Sequence, residues 1–336
     1  MPLPPTVLVV TAPDDLGADL VIRQIQDHGV AVHRIDPADL ARPGVLRMTG
    51  VSDGEPLRFT IEDDHRCTLS QSIVSVFWWH PGPPVGWEQQ ESRTILEEYL
   101  YGLDGVLWVN HPLRAVQARP GPRQLKLASS LGLRTPPALF TNDPNRAAEF
   151  ARKQGGKVVC KTLVAHPNRF IQARLVTAEE IRASADHVRQ ALCYLQRPVD
   201  KTHDIRLTVI GDRMFPCKVT ANGAFDWRVV PEGELGFEAV AAGRPLTHKV
   251  QQLMNALGLE YAALDFAVDR GGTWWFLEAN PAGQFGFIQA ATGMVISRAI
   301  ADHLTQAAMA PRTFTPDGGH RASSRPGPGR RKTAGA

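Results

Sequence analysis

The run Ala262-Ala263-Leu264-Asp265-Phe266-Ala267-Val268 is apolar except for one acid. It leads through Asp269-Arg270-Gly271-Gly272 into a second run, 273–281, that carries Glu278 and Asn280. Two short apolar runs around a Gly-Gly turn read as a β-hairpin. An acid in the middle of a buried strand is costly unless it is paired or bound to a metal. Glu278 and Asn280 stand two apart and therefore share one face of their strand. Three hard oxygen donors on one side of a hairpin suit Mg²⁺, which takes carboxylates together with the phosphates of a nucleotide. The alternative is a buried ion pair between Asp265 and an arginine or lysine, and the residues alone leave it open.

The rest of the chain must supply what such a corner would clamp. A length of 336 residues, 43% apolar and 21% charged, predicts a globular protein of two or three domains. The net charge of +3 is misleading. Residues 311–336 hold six basic residues against Asp317, a net +5, which leaves the body at −2. The basic balance thus belongs to a Pro/Gly/Ser/Arg-rich tail that is expected to be disordered, and no nucleic-acid face is expected. Cys67, Cys160, Cys193 and Cys217 show no Cys-x-x-Cys spacing, so reduced thiols are expected rather than a zinc site. No apolar run is long enough to cross a bilayer, and a cytoplasmic protein with no membrane partner is expected.

Organisation follows from periodicity. Residues 6–11 read as a buried parallel strand, and Asp14 or Asp15 caps a helix that Gly29 ends. A strand at 30–35 completes a βαβ start of Rossmann type. Its first turn, Ala12-Pro13-Asp14-Asp15-Leu16-Gly17, has two acids and no Gly-x-Gly-x-x-Gly, which argues against dinucleotide binding. Further strands are predicted at 45–49, 57–61, 73–78, 106–109 and 157–162. Helices are predicted at 88–103, 124–133, 178–192, 246–257 and 293–308.

Several charged residues sit where strands end or alternate. Lys161 closes a buried run and reads either as a phosphate ligand or as a surface lysine. Asp204, Arg206 and Thr208 share a strand face. They read as a nucleotide-facing acid and a phosphate-binding guanidinium, or as a solvated face. Arg228, in Asp226-Trp227-Arg228, is a candidate for steadying a transferring phosphoryl group, against a plain surface loop. Cys193-Tyr194-Leu195-Gln196-Arg197-Pro198-Val199 reads on its own as an edge strand running into a loop.

Taken together these residues resemble the ATP-grasp superfamily over about residues 110–308. More narrowly the chain resembles the microviridin-type (graspetide) peptide maturases, and this resemblance reaches into the N-terminal domain. It rests on Val32-His33-Arg34-Ile35-Asp36-Pro37, Trp108-Val109-Asn110-His111-Pro112, Gln124-Leu125-Lys126-Leu127-Ala128, Asp204-Ile205-Arg206, Asp226-Trp227-Arg228 and Glu278-Ala279-Asn280-Pro281-Ala282-Gly283-Gln284-Phe285. The resemblance implies an α/β protein, an ATP-grasp fold preceded by a Rossmann-like domain. The expected boundaries are 1–110, 111–195, 196–310 with the metal site, and the tail 311–336.

The implied reaction uses ATP to phosphorylate side-chain carboxylates of a ribosomal precursor peptide. A Ser or Thr hydroxyl or a Lys amine of the same peptide then closes an ω-ester or ω-amide ring. Under it, Lys161, Arg197, Val199 and Asp204 would hold ATP; because Pro198 has no N–H, Arg197 and Val199 would have to present the backbone to adenine. Asp265, Glu278 and Asn280 would hold Mg²⁺, while Arg206 and Arg228 would steady the reacting phosphoryl group. The partner would be the precursor peptide, leader and core, and a homodimer stays among the options. The chain departs from the family pattern at three places. Gly121 stands where a phosphate-binding lysine is usual, Trp78-Trp79-His80-Pro81 where paired arginines precede a proline, and Gln289 where a glutamate is common. Two rivals remain: an ATP-dependent carboxylate–amine ligase for amino acids or other peptides, and a degenerate ATP-grasp protein that binds peptide without turnover.

Overall fold

The computed structural model describes residues 3–53, 57–163, 171–221 and 223–309. The basic tail therefore lies outside the described residues, as does Asn222 of the turn before Asp226. The first layer comprises β1 (Thr6–Val10), α1 (Leu16–Asp27), β2 (Ala31–Ile35), β3 (Arg47–Val51), β4 (Arg58–Glu62), β5 (Cys67–Leu69), β6 (Ile73–Trp78), α2 (Trp87–Tyr101) and β7 (Leu107–Val109). Strands β2-β1-β6-β7 form a parallel sheet in that order, and β3-β4-β5 form a small antiparallel one. Every residue of β1 is buried, as its unbroken apolar run predicts. Asp15 is the helix cap: its carboxylate accepts the Ala18 N–H at 2.7 Å.

Two helices, α3 (Pro112–Gln117) and α4 (Pro122–Ser130), lead onward. A second sheet, in the order β10-β9-β11-β8, is built from β8 (Ala138–Thr141), α5 (Pro144–Lys153), β9 (Lys157–Lys161), β10 (Arg174–Thr177), α6 (Ala178–Ala183), α7 (Ala185–Gln190) and β11 (Cys193–Gln196). Two expectations change here. The helix expected over 178–192 is two short helices broken at Ser184, whose short polar side chain favours a turn over continued helix. The segment expected as an edge strand, β11, lies inside the sheet between β9 and β8, so its end is held from both sides.

The third sheet runs β14-β13-β12-β15-β16, all antiparallel. Its elements are β12 (Lys201–Ile210), β13 (Arg213–Thr220), β14 (Gly236–Ala239), α8 (Arg244–Leu257), β15 (Tyr261–Asp269) and β16 (Trp274–Asn280), followed by α9 (Gly286–Thr292) and α10 (Ile296–Met309). The final helix was expected over 293–308. Gly293, with φ +71°, instead ends the short α9, and α10 starts three residues later.

Core packing crosses the sequence order. Helix α10 packs back on the first sheet, where Ile296, Ile300 and Leu304 share a core with Val7, Val9, Ile25 and Phe77. Ser75 donates to the Leu304 carbonyl at 2.8 Å. Leu125 and Ala128 of α4 share a core with residues of β12, β15 and α8, which Tyr194 of β11 also joins. Among the described residues no helix is long and apolar enough to cross a membrane.

Candidate active site

The hairpin forms as its sequence predicts. Asp265 and Glu278 are direct cross-strand partners, and a bulge just after them leaves Leu277 as the extra residue on β16. On the other side Asp265 faces Arg206 of β12 in register. The Arg206 guanidinium donates from Nη1 to both carboxylate oxygens of Asp265, at 3.0 and 2.9 Å. Both side chains are almost fully buried. The buried ion pair and the oxygen-donor corner are therefore the same residues. The solvated-face alternative for β12 does not hold, because Asp204, Arg206 and Thr208 are each at most 6% exposed.

Arg206 fits because of a glycine. A Cβ at Gly283 would stand 2.5 Å from Arg206 Nη2 and 2.5 Å from the Ala263 methyl, far inside contact distance. The Ala-Gly-Gln run after Asn-Pro is thus a steric requirement of the guanidinium beside it.

The Asp-Trp-Arg segment supplies a second arginine. Asp226 is buried, and Arg228 grips it in a fork: Nε to Oδ1 at 2.9 Å and Nη2 to Oδ2 at 3.0 Å. Arg228 Nη1 also reaches Glu278 at 3.5 Å. Burial pushes the Asp226 carboxyl up, but the bonds and charge of Arg228 outweigh it and hold the acid below its usual range. Glu278 moves the other way. Burial, then the adjacent Asp265 charge, raise it above the ordinary glutamate value despite Lys161, Arg228 and Arg206.

The opposite wall comes from the second sheet. Lys161, at the end of β9, donates to Gln196 Oε1 at 2.7 Å. Burial pulls its ammonium below the usual lysine value, against the field of Glu278. Gln196 is 1% exposed and its Nε2 has no partner among the described residues. Next, the Arg197 N–H is already given to the Pro137 carbonyl at 2.8 Å. That segment can therefore offer a ligand the Arg197 carbonyl and the Val199 N–H, but not the Arg197 N–H. The guanidinium of Arg197 lies 4.8 Å over the Trp275 ring.

Between these walls is a cleft open to solvent. It brings together Lys161, Arg197, Val199, Asp204, Arg228, Asp265 and Glu278 from the residues singled out in the sequence. Asn280 is not among its lining residues. Its Oδ1 accepts the Ala282 N–H at 3.0 Å, one strand step beyond Glu278. Gly121, at the start of α4, does not line it either.

Sequence reasoning missed Gln196, Lys201 and Phe225. Lys201 donates to Asp204 Oδ2 at 2.5 Å and to the Phe225 carbonyl at 2.6 Å. Burial raises the Asp204 carboxyl to about 6, with Lys201 pulling it back. The spacing Lys201-x-x-Asp204 was the available signal, but in an extended strand three residues do not share a face, so it carried no weight.

Chemically, the cleft has two carboxylates side by side, where like charges favour a bound cation. Among the described residues there is no group of three or more His, Cys, Asp or Glu placed to hold a metal. Asp265 and Glu278 are two hard oxygen donors, a set that Mg²⁺ commonly completes with water and a ligand's phosphates.

No protein-family model and no curated protein sequence matches the chain. Solved structures do. The macrocyclase MdnC of Microcystis aeruginosa MRC, bound with the precursor peptide MdnA, is 23% identical with a TM-score of 0.78 over 89% of this chain and 99% of that one. The macrocyclase MdnB of the same organism is 25% identical, with a TM-score of 0.73 over 90% and 100%. The ATP-grasp ligase PsnB, complexed with a phosphomimetic variant of a minimal precursor, Mg and ADP, is 19% identical, with a TM-score of 0.74 over 91% and 99%. The chain has the ATP-grasp fold.

Proposed function

We propose that this protein is an ATP-dependent peptide ligase that cross-links a ribosomally made precursor. It would activate Asp or Glu side chains as acyl phosphates and join them to Ser, Thr or Lys of the same peptide. One observation carries this reading. The paired carboxylates Asp265 and Glu278 share a cleft with Arg228 and Lys161, beside the buried Arg206, in the fold of a macrocyclase solved with its precursor peptide.

Roles follow from geometry. The Arg197 carbonyl and Val199 N–H offer one acceptor and one donor, the pair an adenine edge needs. Lys161 and the free Nε2 of Gln196 offer donors to phosphate oxygens, and Asp204 lines the same cleft. Asp265, Glu278 and Asn280 would hold Mg²⁺, which supplies charge neutralisation to the phosphates when bound. Arg228 would stabilise negative charge at the transferred phosphoryl group, and Arg206 holds Asp265 in place. In the first step the peptide carboxylate takes the terminal phosphoryl of ATP and ADP leaves. In the second a hydroxyl or amine attacks the acyl carbon, loses its proton, and phosphate leaves. The net change in the peptide is loss of one water per ring.

Gly121 favours the rival reading, a peptide-binding protein without turnover, because the usual lysine is missing there. Peptide-dependent ADP formation separates the two. The ligase should release ADP from ATP and Mg²⁺ only when given a precursor with acidic and Ser/Thr/Lys side chains in its C-terminal part. Unchanged ATP alongside measurable peptide binding would establish the rival.

A further inference from the structure

Strand β16 carries Glu278 and is the outermost strand of its sheet. An outermost strand leaves one row of backbone N–H and C=O groups unpaired, and it is the strand most free to shift. Here, at the stretch beside Glu278, that row is met by a side chain. Gln124 Oε1 accepts the Ala279 N–H at 2.9 Å, and Gln124 Nε2 donates to the Ala279 carbonyl at 2.9 Å. The second amide hydrogen goes to the Ala118 carbonyl, also at 2.9 Å. Three backbone partners fix which way the amide points, since reversing it would set carbonyl against carbonyl. The side chain is 1% exposed, so no water competes for these bonds.

Ala279 lies between Glu278 and Asn280. On the far side of the bulge, the Phe276 N–H donates to the Arg134 carbonyl at 2.7 Å. The outer edge of β16 is thus tied at Phe276 and at Ala279, and Glu278 sits between the ties. The bulge at Leu277 makes them matter, because a bulged strand lacks the regular ladder that would otherwise set the direction of Glu278.

We infer that Gln124 is a positioning residue for the metal-binding strand, a side-chain amide that stands in for a missing neighbour strand and sets the aim of Glu278. This rests on the proposed Mg²⁺–nucleotide role of the cleft.

The test uses the full chain, with ADP and Mg²⁺ as probes. Gln124→Leu keeps the size and removes all three bonds. Hydrogen–deuterium exchange of the segment 274–281 should quicken in this variant. The Mg²⁺ concentration for half-maximal ADP binding, read by calorimetry, should rise about tenfold, the lower range for loss of a group that orients a metal ligand. ADP binding without Mg²⁺ should not change. Gln124→Glu keeps the acceptor for Ala279 but loses both donors, and should show the same shift if the leucine variant does not fold. Leu125→Ala, which trims the core under α4 and keeps the Gln124 amide that makes the three bonds, should lower Tm and leave the Mg²⁺ requirement alone. An unchanged Mg²⁺ requirement in both Gln124 variants overturns the inference, as does an equal shift in Leu125→Ala. Absence of any Mg²⁺-dependent ADP binding in the unaltered protein overturns the nucleotide reading itself, and the inference with it.

Discussion

Asp265 and Glu278 are neighbours with different duties, and replacing each should separate them. Among the described residues Asp265 is the one carboxylate bonded to the buried Arg206 guanidinium. Asp265→Asn leaves that charge poorly compensated and should destabilise the fold by about 3–5 kcal/mol, read from the denaturation midpoint. Glu278 is already disfavoured as an anion by burial and by Asp265. Glu278→Gln should therefore hold or raise Tm while abolishing peptide-dependent ADP formation. A Glu278→Gln protein that turns over normally would remove Glu278 from the site. Both acids were legible in the sequence because an acid within an apolar strand must be explained. Gln196 and Lys201 were not, because nothing in a neutral amide or a strand-end lysine says what it will face once two sheets meet.

Single elements show where pattern reading works and where it stops. The hairpin, α8 and β6 follow from periodicity and turn residues almost to the residue. The helix over 178–192 fails at Ser184, and β11 becomes an inner strand because β8, which the periodicity did not reveal, pairs along it. The small sheet β3-β4-β5 is bound to β2 by a contact that likewise has no local signature. His33 on β2 bonds Thr68 of β5 through Nδ1 at 2.8 Å, and Asp63 through Nε2 at 3.2 Å. Burial lowers its proton affinity below the usual value of 6.5, and Asp63 only partly offsets this. The sign is set by the unfolded chain. As pH falls below 6.5 the unfolded histidine takes up a proton that the folded one refuses, so stability falls and keeps falling down to the folded-state pKa. Urea midpoints between pH 7.5 and 5.5 should drop in the unaltered protein, with a shallower slope in His33→Gln. Equal slopes would mean that His33 is not the group responsible. Asp63, itself held low, would act only at more acidic pH.

At the scale of the whole molecule, the chain returns on itself. Helix α10 joins the core of the first sheet, α4 joins the third, and His80 beyond β6 bonds both Asp15 and the Ala282 carbonyl, each at 2.9 Å. Asn110, after β7, holds the same hairpin through four bonds, to the Glu260 and Tyr261 N–H groups and the Tyr261 and Pro281 carbonyls. The loop leaving the carboxylate strand is therefore anchored in the first layer, while the wall with Lys161 belongs to the second sheet. Such contacts join residues more than two hundred positions apart, which no local pattern encodes. They explain why Trp79-His80-Pro81 and Asn110-His111-Pro112 stand out in the sequence without looking catalytic. A cleft that spends ATP on peptide carboxylates must leave its mark on the peptide's mass. The most direct measurement is the intact mass of the peptide encoded in a neighbouring open reading frame, with acidic and Ser/Thr/Lys side chains, after incubation with the protein, ATP and Mg²⁺. Loss of one water for each ring is expected, and no loss with Glu278→Gln. A peptide of unchanged mass, bound by the protein while ATP stays intact, would contradict it.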